Sequence, residues 1–258
     1  MVLFNNLIIF ILGASIGSFL NVLIDRLPKE GSINGRSHCD FCGKKIAWRD
    51  LIPVFSFFVL KGKSRCCHKK LSWQYPAVEF VTGLVFVMVF KDGPYLGTSL
   101  IRSVLILSIL SSLIVIFVSD LKYHLISDYI LIALFVFSLF YHLFNNVTVQ
   151  QFSNFFLSGL IVALPIFLIY FISKERAMGL GDVYLSAIMG FLLGWQAGFL
   201  SLYIAFVTGA IFGLFLILLK RKKIKSKVAF GPFLVIGTVI MLFWGERIFE
   251  VIKRIYGF

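Results

Sequence analysis

Apolar residues run in long blocks along most of this chain, and the polar residues are gathered between the blocks instead of alternating with them. A helix that crosses a bilayer needs roughly 20 consecutive, mainly apolar residues. Eight blocks meet or approach that length, at 3–24, 74–90, 96–119, 127–144, 154–173, 183–200, 201–219 and 229–246, the second and the last being short. Lipid-facing strands would alternate with a period of two, which these blocks do not. The pattern therefore predicts an all-α polytopic membrane protein of about eight transmembrane helices. One polar insert, residues 25–73, separates the first helix (1–24) from a transmembrane domain (74–258).

Finer features of the blocks concern packing. Small residues at close helical spacing let backbones approach in lipid, as at Gly13 and Gly17, at Gly190, Gly194 and Gly198, and at Gly209 and Gly213. Pro165 lies inside an apolar run, where neighbouring helices tolerate it as a kink and the helix goes on. No positive segment precedes residues 7–24, whereas Arg26 and Lys29 follow them. That order is wrong for a cleavable secretory signal, so the first block is expected to be a retained anchor.

Composition agrees, with 59% hydrophobic residues and a mean hydropathy of +0.95, far from soluble usage. A net charge of +13 invites comparison with nucleic-acid binders, but its distribution points to a membrane instead. Eleven Lys and Arg residues crowd the 25–72 stretch, and the rest of the same-side excess lies at Lys122, at Lys174 and Arg176, and in the run from Lys220 to Lys227. The opposite side keeps Lys91, Arg102, Arg247, Lys253 and Arg254. Positive loops stay in the cytoplasm, which puts the insert there and both termini outside. The expected partner surface is membrane lipid, with no nucleic acid.

Acidic residues number twelve, and the informative ones abut apolar runs, where ionisable groups are costly and mark function. Asp120 ends the third block in FVSDLKYHLISD and Asp182 opens the sixth in AMGLGDVYLS, both on the cytoplasmic side by the charge count. Two carboxylates that meet do not both ionise easily; one serves as acid while the other acts as base on a water, as in an aspartyl protease. Asp128 is the other candidate partner for Asp120. Were 120–128 helical, these two would stand about 12 Å apart along the axis, too far to share a proton. The Asp120–Asp182 pair is therefore preferred, with Asp128 as a cap or supporting acid. Gly179 and Gly181 suit a sharp turn and a close approach to substrate before Asp182. The plainer alternative makes Asp182 a helix cap and Asp120 an interface acid. His124 and His142 are isolated and read as interface polar residues.

The insert carries all four cysteines. Cys39-x-x-Cys42 is a zinc half-site, and Cys66 and Cys67 would complete four sulfurs; a reducing compartment disfavours disulfides. Adjacent residues seldom both face one metal, so His38 or His68 could replace one sulfur, and free thiols in a small apolar core are the alternative.

Several of these strings resemble those of the type IV leader peptidases, also called prepilin peptidases, which are GxGD aspartyl proteases. Gly13 to Pro28 (GASIGSFLNVLIDRLP) is similar to the family's N-terminal signature, Cys39 to Cys42 with Asp50 to Pro53 to its cysteine segment, and Leu71 to Phe80 (LSWQYPAVEF) to the motif that closes it. Gly179-Leu-Gly-Asp182 matches the name-giving motif, and Asp120, eight residues before Asp128, matches the other catalytic acid. The likeness runs in order from residue 13 to about 194, leaving the last two blocks without a motif.

The resemblance implies an inner-membrane enzyme that removes the basic leader of prepilins or pseudopilins after a glycine at the cytoplasmic face, Asp120 and Asp182 being catalytic and Gly179, Gly181 and Asp128 supporting. It also implies N-methylation of the new N-terminus with S-adenosylmethionine, for which this sequence holds no nucleotide-binding fingerprint. One departure stands out: the family's second C-x-x-C is here Ser64-Arg-Cys66-Cys67, in which Cys67 aligns better than Cys66. An ion-coupled transporter would place its acids near mid-span at broken helices, and a non-catalytic scaffold of a pilus or secretion assembly would tolerate loss of either acid.

Overall fold

A computed structural model describes residues 2–29, 31, 35–39, 41–91, 100–145, 147–219 and 229–256, and their side chains except those of residues 2–4, 91 and 256. The basic run Lys220–Lys227, part of the charge argument, lies outside the described residues. The chain forms two compact units, Met1–Val115 and Ile116–Phe258.

The first unit pairs α1 (Val2–Arg26) with α3 (Gln74–Lys91) across the insert, which contains one short helix, α2 (Phe55–Val59). The glycine seam explains the pairing. A Cβ on Gly13 would sit 2.7 Å from the Phe86 ring, one on Gly17 2.7 Å from the Glu79 Cα, and one on Gly83 2.6 Å from the Phe10 ring. Without side chains at these three positions the two backbones lie in direct contact, which is how helices gain dispersion energy in lipid.

Polar contacts continue the seam where α1 ends and α3 begins. Asn21 Nδ2 donates to the Tyr75 carbonyl (3.1 Å), Gln74 Nε2 donates to Asn21 Oδ1 (3.4 Å), and the Tyr75 hydroxyl donates to Asp25 Oδ2 (2.9 Å). Further along, Glu79 Oε2 accepts the Val54 amide at 2.6 Å. Val54 has φ 61, a conformation costly for a β-branched residue, so this bond holds the insert in a shape it would not take alone. The two signature strings at 13–28 and 71–80 are thus the two sides of one contact.

α4 (Leu100–Tyr123) contributes residues to both units, its last two turns belonging to the second. There it is followed by α5 (Asp128–Phe144), α6 (Val149–Ser173), α7 (Leu180–Leu193), α8 (Trp195–Leu218) and α9 (Gly231–Tyr256). α7 packs against α5, α6, α8 and α9, and so occupies the centre of the unit. Again bare glycines set the distances: Gly159 and Gly190 face each other's helices, with Gly198 against Val162.

Among the described residues four helices are long and apolar enough to cross a membrane, Asn5–Lys29, Leu100–Tyr123, Val149–Ser173 and Trp195–Leu218, and three shorter apolar ones are Gln74–Phe90, Asp128–Phe144 and Leu180–Leu193. With α9 they occupy the places of the eight predicted blocks. Large apolar side chains point outward, among them Leu160, Leu164, Phe171, Ile211, Leu214 and Leu218, while Ser112, Ser138, Ser158, Ser186 and Thr238 are buried. In lipid that is the stable arrangement, and most of the buried hydroxyls are satisfied within their own helix: Ser112, Ser138, Ser158 and Thr238 each donate to the carbonyl four residues back.

Two boundaries differ from the sequence expectation. The predicted spans 183–200 and 201–219 divide instead at Gly194, whose φ of 80 breaks the helix; apolar residues on both sides hid that break. Gly194 is accordingly a hinge between α7 and α8 and no part of a packing stripe, and a Cβ on Gly213 would meet nothing within 4 Å. The last block, predicted short, belongs to the longest helix, 26 residues. Through Pro165 the helix α6 continues, as expected.

Candidate active site

α4 ends because His124 turns left-handed (φ 52), its amide bonding back to the Asp120 carbonyl at 3.0 Å. The chain therefore does not run helically from 120 to 128, and the separation computed for a continuous helix does not apply. Asp128 instead opens α5, after the N-cap Ser127, where a carboxylate suits the positive end of the helix. On the final turn of α4 the Asp120 side chain is buried, at 6% exposure.

Asp182 is likewise buried, three residues into α7, and its Oδ2 accepts the Gly179 amide at 3.1 Å. So the capping role weighed as the plainer alternative is real. It is also compatible with a second role, because the Asp120 charge acts on Asp182 in the same unit. Neither Gly179 nor Gly181 takes a left-handed φ. What Gly181 supplies is room: a Cβ there would lie 3.1 Å from the Ile126 Cβ. The loop 124–127 is thereby clamped between the ends of α4 and α7.

The two acids differ in satisfaction. Asp120 Oδ2 is the buried side-chain nitrogen or oxygen without a hydrogen-bond partner among the described residues. Since nearly all buried polar atoms are paired and an unpaired one costs about 1–3 kcal/mol, such an atom calls for a ligand, a water or a reacting group. Sequence reasoning missed the residue that faces it. Gly231, the first residue of α9, lies so near that a Cβ on it would sit 2.6 Å from Asp120 Oδ2, and its backbone amide points to the Asp120 carboxylate without completing a hydrogen bond to Oδ2.

His142 packs inside the unit, stacked on Phe155 at 4.1 Å and donating from Nε2 to the Phe191 carbonyl at 2.9 Å. Its role is structural, as the sequence suggested.

The insert brings Cys39, Cys42, Cys66 and Cys67 together, all four sulfurs within 4.8 Å of one another. A tetrahedral zinc with bonds of about 2.3 Å sets its sulfurs about 3.8 Å apart, so the donor set fits. Neither His38 nor His68 joins the group. Adjacent Cys66 and Cys67 both bring their sulfurs to the group, and the reason lies in the turns.

Two similar turns carry the sulfurs, each closed by an antiparallel bridge, His38 with Lys45 and Lys63 with Lys70. In the first, the Cys39 amide bonds to the Lys44 carbonyl and the Gly43 amide to the Cys39 carbonyl; in the second, the Ser64 amide bonds to the Lys69 carbonyl and the His68 amide to the Ser64 carbonyl, all at 2.9 Å. Gly43 (φ 67) and His68 (φ 55) hold matching left-handed positions. Ser64 therefore stands where Cys39 does and Cys67 where Cys42 does. Cys66, out of register, reaches to 3.1 Å from the Cys42 sulfur.

Electrostatics in the turns favour thiolates. The backbone amide of Phe41, helped by that of Cys42, holds the Cys39 thiol well below its ordinary value, at about 6. The Ser64 hydroxyl, 2.9 Å from the sulfur, and the Lys69 amide lower Cys67. Cys66, beside the Cys42 and Cys39 sulfurs, is pushed up to about 12. Outside the cluster, Arg65 reaches Asp50 through Nη2 (2.9 Å) and Nε (3.0 Å), tying the second turn to residues 48–51.

Comparison with known proteins decides the family. The family profile described as "Bacterial Peptidase A24 N-terminal domain" matches residues 11–92, and that described as "Type IV leader peptidase family" matches residues 107–214. A curated relative from Pectobacterium carotovorum subsp. carotovorum, named prepilin leader peptidase/N-methyltransferase, is 33% identical over 89% of either chain. The chain belongs to the type IV leader peptidase family. Other relatives of the same name are those of Klebsiella pneumoniae, 35% identical over 73% of this chain and 85% of its own, and Bacillus subtilis (strain 168), 30% identical over 93% of this chain and 95% of its own. No solved structure matches it. For a type IV leader peptidase, the buried pair Asp120 and Asp182 occupies the part of the chain that the peptidase profile covers, and the cysteine turns occupy the part covered by the N-terminal profile.

Proposed function

We propose that this chain is a prepilin leader peptidase and N-methyltransferase whose peptidase centre is Asp120 and Asp182, with Gly179 and Gly181 shaping the approach and Asp128 a supporting acid. The observation that carries the reading is that one unit buries two carboxylates, Asp182 lying in the field of Asp120 and Asp120 keeping an oxygen unbonded among the described residues. A lone structural acid would be fully bonded.

In the reaction, one carboxylate takes a proton from water as the water oxygen attacks the carbonyl carbon of the leader's last peptide bond. The partner, protonated, donates to the carbonyl oxygen, giving a tetrahedral diol. Collapse breaks the C–N bond as the proton now on the first carboxylate goes to the leaving amine, and one diol hydroxyl returns its proton to the partner, which restores the pair. The charge bias of the sequence supports a cytoplasmic approach in the cell membrane, where a basic leader would wait beside the two acids.

Zinc would be held by Cys39, Cys42, Cys66 and Cys67, and with four protein ligands it would serve structure, cross-linking the two turns, with no position open for catalysis. S-adenosylmethionine would supply the methyl group.

Co-expression with a prepilin tests the reading. The expected result is a shortened product with a methylated N-terminus, and an uncut precursor when either Asp120→Asn or Asp182→Asn is expressed as a folded, inserted protein. Substantial cleavage by either purified variant would remove the dyad.

A further inference from the structure

The peptidase centre has two carboxylates from α4 and α7, but three helix ends meet there, and the third is the start of α9. Phe230 caps α9: its carbonyl accepts the amides of Phe233 (3.0 Å) and Leu234 (3.3 Å). Pro232 has no N–H. In the first turn, therefore, the donor left uncommitted is the Gly231 amide, and it points to the Asp120 carboxylate. Asp120 is 94% buried by its 6% exposure, and its Oδ2 has no partner among the described residues.

We infer that Phe230-Gly231-Pro232, the first turn of α9, is a third component of the peptidase centre, in which Gly231 is a positioning residue for Asp120. This rests on the dyad reading above. The space that a side chain at 231 would fill is taken by Asp120 itself, since the Cβ position is 2.6 Å from Oδ2 and 3.2 Å from Cγ. The shorter of these is below real Cβ contacts, and the Ile126 Cδ1, 3.2 Å away, closes the other side. Ile126 in turn is pressed on Gly181, so Asp120, the 124–127 loop, the glycine before Asp182 and the head of α9 form one continuous set of contacts. A residue with any Cβ at 231 displaces the carboxylate or the 124–127 loop.

The electrostatics point the same way. The N-terminal end of a helix carries a partial positive charge that favours an anion within its first turn, so the head of α9 supports the charged form of the acid nearest it. Proline at the second position keeps this turn from spending a second donor, leaving the Gly231 amide for the carboxylate or for a water that bridges to it.

The test is Gly231→Ala in the purified full-length enzyme, assayed on a fluorogenic peptide made of a basic leader, its terminal glycine and the following apolar segment. A misplacement of an ångström costs about 100-fold in rate, and that fall is expected in kcat, with KM within about twofold because the methyl group touches Asp120 and leaves the leader's contacts alone. Thermal unfolding supplies the second reading: Gly231→Ala should lower the midpoint in the wild-type background and leave it unchanged in Asp120→Ala, where the methyl group has room. Should Gly231→Ala fail to fold, recovery of folding in the double variant supports the inference, and its absence overturns it. More than half the wild-type kcat, a loss confined to KM, or equal destabilisation in both backgrounds would also overturn it. The dyad reading fails separately, by activity in Asp120→Asn.

Discussion

Each unit buries a carboxylate against a backbone amide, and the two are treated in opposite ways. Glu79 on α3 accepts the Val54 amide at 2.6 Å and fastens the insert to the helix pair. Asp120 on α4 is buried as deeply, yet its Oδ2 is left without a partner beside a glycine that makes room for it. Glu79, bonded in this way, serves construction. An acid left short retains the capacity to take up a proton, and its unmet bond costs stability that a folded protein keeps only for a use.

That contrast breaks most directly by removing the titratable groups. Asp120→Asn and Asp182→Asn are expected to lower cleavage by more than about 1,000-fold, since members of one catalytic unit fail singly, while Glu79→Gln keeps at least half the activity. A Glu79→Gln enzyme as inactive as Asp120→Asn would erase the distinction.

The cysteine turns sharpen it on the construction side. Cys66→Ser should weaken zinc at least about tenfold in chelator competition, and adding Ser64→Cys to it should restore the affinity, because Ser64 holds the register position of Cys39. Peptide cleavage in the same protein should hold near the wild-type rate. Equal zinc affinity in Cys66→Ser would show that Cys66 is no ligand.

Glu79→Ala should cost about 1–3 kcal/mol by leaving the strained Val54 amide unbonded, read as a lower unfolding midpoint in detergent with kcat intact in the protein that stays folded. The smallest effect belongs to Gly213→Ala, which meets open space and should shift stability by less than about 1 kcal/mol. A large loss there would mean that α8 is covered by something other than lipid.

Much of this was legible in the sequence because lipid imposes one simple rule, that spanning backbone be helical and its outward face apolar. The blocks, the insert, the packing glycines Gly13 and Gly17 and the placing of Asp120 and Asp182 at helix ends all follow from that rule. The break at Gly194 was not legible, since apolar residues on either side make one helix and two look alike. Nor was the reach of Cys66, which depends on how a turn curls, or the link of Asn21, Gln74 and Tyr75, which depends on two distant helices meeting. Gly231 did carry a signal: a Gly-Pro pair opening the last helix, just after a basic run and so on the side of both acids. It was passed over because glycine and proline at a helix start are common.

The seam between α1 and α3 has a consequence for how the protein is made. Synthesis is sequential, and α1 enters the bilayer while its partner is still unwritten, with the whole of the insert to be translated in between. During that interval Gly13 and Gly17 face lipid, and Asn21 and Asp25 have no Gln74 or Tyr75 to meet. The Glu79 bond to Val54 closes last of all, since its acceptor follows the entire insert in the chain. The turn at Val54 therefore gains its bond to Glu79 only when α3 has arrived.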